Sequence, residues 1–91
     1  MERKFKFGKM NIEKIPFSPG ERVIFWDTLL PGYGLYVTKN VKTYFVQGRL
    51  NGTPKKATVG PATLWSPEDA REKAREYLKQ MAEGIDPTAE K

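Results

Sequence analysis

An α+β fold is expected from this sequence: a small antiparallel sheet of three to four strands packed on one C-terminal α-helix, with the other sheet face open. Three observations carry that expectation. Short β-branched and aromatic runs, punctuated by Gly, Pro and Asn, occupy residues 21–59. The one long pattern of helical period lies in residues 66–83. A chain of 91 residues has room for a single core, and one helix can cover only one face of a sheet.

Residues 1–20 carry Lys4, Lys6, Lys9 and Lys14 and close on Pro16, Ser18, Pro19 and Gly20, which reads as a basic, extended, docked arm. Within it, alternation of Phe5 and Phe7 with Lys4 and Lys6 suggests a short edge strand. The domain proper is expected over residues 21–84. Its first strand is Glu21–Asp27, rich in Val23, Ile24, Phe25 and Trp26. A turn at Leu30–Gly34 leads to Leu35–Thr38, and Lys39-Asn40 connects tightly to Lys42–Leu50. Asn51-Gly52 is a strong hairpin signal, because both residues tolerate the positive φ of a type I′ turn. The partner strand is Thr53–Val59, closed by Gly60-Pro61.

The helix is expected over Ser66–Glu83. Ser66 suits the N-cap, Pro67 the first helical position, and Asp69 completes an arrangement like a capping box. Ala70, Ala74, Tyr77, Leu78 and Met81 share one face. Asp69 with Lys73, Glu68 with Arg71, Glu72 with Arg75 and Glu76 with Lys79 are spaced to pair on the remaining surface. Gly84 is placed to end the helix, and residues 85–91, with Asp86-Pro87, read as the start of a linker.

Composition removes most chemistry. The chain has no Cys and no His, which excludes disulfides, thiolate or imidazole metal sites, and Cys or His catalysis. Ser18 and Ser66 both precede proline and serve turns or caps. Asp27 and the helix carboxylates lack partners at catalytic spacing, so neither an enzyme nor a cofactor is expected. Gly32-Tyr33-Gly34 is a turn and not a phosphate cradle, since Val37 stands where a third glycine is needed. No apolar run is long enough to span a bilayer, and the charged amino terminus has no signal-peptide pattern. A cytoplasmic protein without a membrane partner is the resulting expectation.

The net charge of +5 is unevenly distributed. Residues 1–60 hold eleven Lys/Arg against four Asp/Glu, a net +7, and residues 61–91 hold five against seven, a net −2. A basic sheet segment backed by a mildly acidic helix points to a polyanion-binding face. Period-2 alternation turns Leu35, Val37, Tyr44, Val46, Leu50, Ala57 and Val59 inward. It turns Tyr36, Thr38, Thr43, Phe45, Gln47, Arg49, Lys56 and Thr58 outward, with Lys39, Lys42 and Lys55 at the hairpin ends. That set contains no acid. Arg49 suits guanine, Gln47 adenine, Phe45 or Thr38 a thymine methyl, and the four lysines phosphates. Double-stranded DNA, double-stranded RNA and a protein surface all remain open as partners.

Several strings, in order, resemble the amino-terminal arm-type DNA-binding domain of phage and genomic-island integrases of the tyrosine recombinase family. They are Phe25-Trp26-Asp27-Thr28, Leu30–Thr38, Lys42–Val46, Arg49–Gly52, Thr58-Val59-Gly60, Ser66–Arg71 and Gly84–Pro87. The resemblance spans about residues 21–88. It implies a sheet whose open face lies in the major groove of arm-type sites and supports DNA integration and recombination. It also implies contacts with neighbouring integrase copies or accessory recombination factors, and catalytic residues in a separate C-terminal region. This chain departs from such relatives in carrying Tyr36 and Gln47 where arginines are frequent, and Gly48 where an aromatic is frequent. Gly48 reads as a bulge that re-aims Arg49.

Overall fold

In a computed structural model, which describes residues 3–88, the sheet has five strands and is mixed, not purely antiparallel. The elements run β1 (Lys4–Phe5), α1 (Lys9–Lys14), β2 (Val23–Asp27), β3 (Tyr33–Val37), β4 (Lys42–Leu50), β5 (Thr53–Pro61) and α2 (Pro67–Ala82). Strand order in the sheet follows the chain. The expected antiparallel meander is β2 to β5, and the additional strand is β1, which pairs parallel with β2. Trp26 N–H donates to Arg3 O at 2.7 Å and Thr28 N–H to Phe5 O at 3.2 Å. Parallel neighbours need a crossover connection, and α1 with the proline-rich segment after it supplies one. The crossover is folded into the domain, since Phe7, Ile12 and Ile15 are all buried in the core.

The β4–β5 hairpin turns through Asn51 at φ 53° and Gly52 at φ 83°, the positive pair that a type I′ turn requires. Its register slips once. Tyr44 faces Gly60 while Phe45 faces Thr58, which makes Val59 the extra residue of a bulge on β5. Gly48, by contrast, sits in regular pairing with Lys55 and marks no bulge. Its role is spatial: a Cβ there would stand 2.8 Å from Leu78 Cδ2 and 3.0 Å from Met81 Sδ, so the missing side chain lets α2 close on β4.

The core lies between α2 and one sheet face. Phe25, Tyr33, Leu35, Val37, Tyr44, Val46 and Ala57 meet Ala70, Ala74 and Met81 there, with Tyr77 and Leu78 at the margin. The two alanines bring helix backbone close to the sheet. Ser66 Oγ accepts a hydrogen bond from Asp69 N–H at 3.1 Å, which caps the helix. At the other end, Ile85 N–H donates to Gln80 O and Gly84 N–H to Met81 O, the paired bonds of a Schellman ending.

Arg71 corrects the expected helix surface. It is 8% exposed and does not pair with Glu68. Its Nε donates to Asp27 Oδ2 at 3.0 Å, and its Nη2 donates to Asp27 Oδ1 at 3.2 Å and to Phe7 O at 2.8 Å. Asp27, 2% exposed, also accepts from Phe7 N–H at 2.9 Å and Leu30 N–H at 3.1 Å. One ion pair therefore ties β2, α2, the amino-terminal crossover and the β2–β3 turn together. The hydrogen bond to Asp27 raises the Arg71 pKa above its ordinary value.

Candidate nucleic-acid interface

The strand pairings define the face turned away from α2. Lys4 lies beside Trp26, Trp26 faces Gly34, Gly34 faces Phe45, and Phe45 faces Thr58. The neighbouring row runs from Ile24 through Tyr36 to Thr43. Towards the hairpin tip, Gln47 faces Lys56 and Arg49 faces Pro54. No carboxylate stands among these described strand residues. The acids Glu68, Asp69, Glu72 and Glu76 belong to α2, on the opposite side of the sheet.

At its centre the face holds an aromatic pad. Phe45 is fully buried, although it points away from the main core. Trp26 meets it edge-on at 5.3 Å between ring centroids, and Tyr36 lies at 6.0 Å. The ring fits because residue 34 is glycine: a Cβ there would stand 2.8 Å from both Phe45 Cε1 and Cζ. Cations border the pad. Lys56 Nζ sits 5.1 Å from the Phe45 ring centroid, and the Arg22 guanidinium 5.1 Å from that of Tyr36. Arg49 Nη1 donates to Gly52 O at 3.2 Å, which steadies the guanidinium on the hairpin.

The structure brings seven of the eleven sequence-assigned residues onto this face. Tyr36, Gln47, Arg49, Lys56 and Thr58 offer surface, while Thr43 is buried and Phe45 forms the floor. Phe45 therefore cannot itself touch a base. Thr38 and Lys39 occupy the β3–β4 turn, where Thr38 N–H donates to Val41 O at 2.8 Å and Thr38 O accepts from Ser18 N–H at 3.0 Å.

Lys42 and Lys55 lie on the helix side. Lys42 Nζ donates to Ile12 O at 3.0 Å beside the Phe17 ring, and burial lowers its pKa. Lys55 Nζ stands 3.4 Å from Asp86 Oδ2. The backbone N–H of Thr88, then its hydroxyl, hold the Asp86 carboxyl below its ordinary pKa. Of the expected linker over residues 85–91, residues 89–91 fall outside the described residues.

Sequence alternation missed Lys4, Arg22, Ile24, Trp26 and Pro54. Strand β2 is apolar towards both faces, so its two sides look alike in the sequence. Asp27 would mislead such a count, because a lone carboxylate reads as outward until its burial against Arg71 is seen. Its burial puts Phe25 and Val23 on the helix side and Trp26 and Ile24 opposite.

No curated protein matches this chain. The family of arm DNA-binding domains matches it over residues 7–91, a span that includes every strand from β2 to β5 and the covering helix. With an acid-free, cation-bordered sheet face opposite that helix, the chain belongs to the arm DNA-binding domain family.

Proposed function

We propose that this chain is the arm-binding module of a site-specific recombinase, and that its open sheet face enters the major groove of duplex DNA at arm-type sites. Its work is binding, not catalysis. The observation that carries the reading is where the acids lie. The open face carries Lys4, Arg49 and Lys56 with no carboxylate among its described strand residues, whereas the carboxylates of α2, interleaved with Lys73, Arg75 and Lys79, stand behind the other face.

Strands β4 and β5 each contain nine residues, roughly 30 Å of ribbon at about 3.3 Å per residue. A ribbon of that kind suits a major groove about 12 Å wide. Gln47 and Arg49 then lie along the strand that reaches the base edges, and Lys56 reaches towards phosphate. Within an integrase, residues 21–84 with the crossover of residues 4–20 form the binding unit, and residues 85–91 lead towards the linker.

Binding-site selection from random duplex DNA tests the reading. Recovery of a motif is expected, with affinity falling steeply as salt rises. Arg49→Ala should cost about 1–3 kcal/mol on that motif and relax preference at one position. Recovery of no motif, or binding by the variant equal to the parent's on every sequence, would refute the proposed face.

A further inference from the structure

Strand β3 starts at Tyr33, so the β4–β5 hairpin projects beyond it. The step leaves a shallow concavity of about 340 Å³ on the open side, lined by Trp26, Gly32, Gln47, Gly48, Arg49 and Pro54. Its chemistry is divided. Gln47 and Arg49 supply an amide and a guanidinium that match the hydrogen-bonding edges of adenine and guanine. Trp26 and Pro54 supply apolar surface that such hydrogen bonding does not use.

Trp26 is half-buried, and it rests on the fully buried Phe45 ring, so one side of the indole is fixed by packing while the other is presented. On the neighbouring β1, Lys4 is the register partner of Trp26 and places a cation beside the indole's strand position. In the major groove, the apolar feature that a base edge offers is the thymine 5-methyl group.

We infer that Trp26, with Pro54 across the concavity, is a specificity-determining contact for a thymine methyl adjacent to the base read by Gln47 or Arg49. The inference rests on the duplex-DNA reading above. It assigns to Trp26 the methyl contact that the buried Phe45 cannot make. Removing a single buried methyl weakens binding by about three- to tenfold.

The test is a parallel selection with two fully randomised duplex pools, one made with thymine and the other with uracil in its place. The protein is unchanged between the arms. The thymine pool should yield a motif with a fixed T beside the G or A position. In the uracil pool, preference at that T should fall about three- to tenfold while the G or A preference persists. Trp26→Ala should lose the T preference in the thymine pool and keep its neighbour. The same motif at equal strength from both pools, or a motif without T, would overturn the methyl contact and leave DNA binding standing. Binding to neither pool would overturn the duplex-DNA reading itself. T preference that survives Trp26→Ala would remove the assignment to this indole. If that variant does not fold, the comparison of pools with the unaltered chain still decides the methyl contact.

Discussion

The two faces of the sheet use similar side chains to opposite ends. On the helix side, aromatic rings surround an arginine whose charge is matched by a buried carboxylate: Arg71 against Asp27, with Tyr33 beside it at 5.8 Å. On the open side, Arg22 and Lys56 lie over Tyr36 and Phe45, each at 5.1 Å, and no carboxylate of the strands stands near them. A buried pair cancels its charge and fixes its geometry, and breaking one half leaves an uncompensated ion. A solvent-exposed cation held over a ring gains only about 0.5–1 kcal/mol and keeps its net charge for an outside partner. Arginine therefore locks the fold on one side, while cations on the other remain available to phosphate.

The largest way to break this contrast is Asp27→Ala. It removes the acceptor for Arg71, Phe7 N–H and Leu30 N–H together, so urea unfolding should show a loss of about 3–5 kcal/mol. The double variant Asp27→Ala with Arg71→Met should recover part of that loss, because no buried charge is then left unpaired. DNA affinity per folded molecule should stay near that of the parent. A loss below 1 kcal/mol would mean that water readily replaces the carboxylate.

Gly34→Ala acts across the sheet. The added Cβ would meet Phe45 Cε1 and Cζ at 2.8 Å and Phe25 O at 2.9 Å. A crowded site of this kind costs about 1–3 kcal/mol. Because Phe45 supports Trp26, affinity for the selected duplex should fall as well, unlike the outcome at Asp27. Stability lost with affinity intact would separate the aromatic pad from recognition.

Burial also raises the pKa values of Tyr33 and Tyr44 on the helix side. In the unfolded chain both ionise near pH 10, so the folded state holds their protons more tightly. Stability is accordingly unaffected below that pH and declines as pH rises above it. The phenolate absorbance of these two residues should appear only together with loss of the folded far-ultraviolet spectrum. Ionisation of all four tyrosines before unfolding would contradict their burial.

Legibility in the sequence followed how local the causes were. The β4–β5 hairpin was readable because Asn51-Gly52 fixes the turn and the strands alternate up to the bulge. Helix α2 was readable from Ser66, Pro67 and the 70–74–77–78–81 spacing. Strand β1 contributes two residues, and its parallel pairing with β2 depends on a crossover that carries no local signature. Arg71 has acids at helical spacing, so a surface pair with Glu68 and a buried pair with Asp27 look the same until the helix is docked. The site was half legible for a related reason. Alternation placed Gln47, Arg49, Lys56 and Thr58 outward, but it had no purchase on β2 and treated Lys42 and Lys55 as free cations.

Lys55 and Lys56 give the smallest effect and the sharpest test of the comparison. They are sequence neighbours with the same charge, and strand alternation sends them to opposite faces: Lys55 towards Asp86, Lys56 over Phe45. Replacing either with Ala should leave the unfolding midpoint nearly unchanged, since neither surface cation is needed by the core. Any difference then belongs to binding. For Lys56→Ala, affinity for specific and random duplexes should fall together, and the plot of log affinity against log salt should become shallower by about 0.9, the contribution of one phosphate contact. Lys55→Ala should keep the parental slope, because its ammonium faces the helix side and the phosphate chain does not reach it. If both variants lose the same slope, the DNA responds to the total charge of the domain, and the distinction between its two faces does not govern binding.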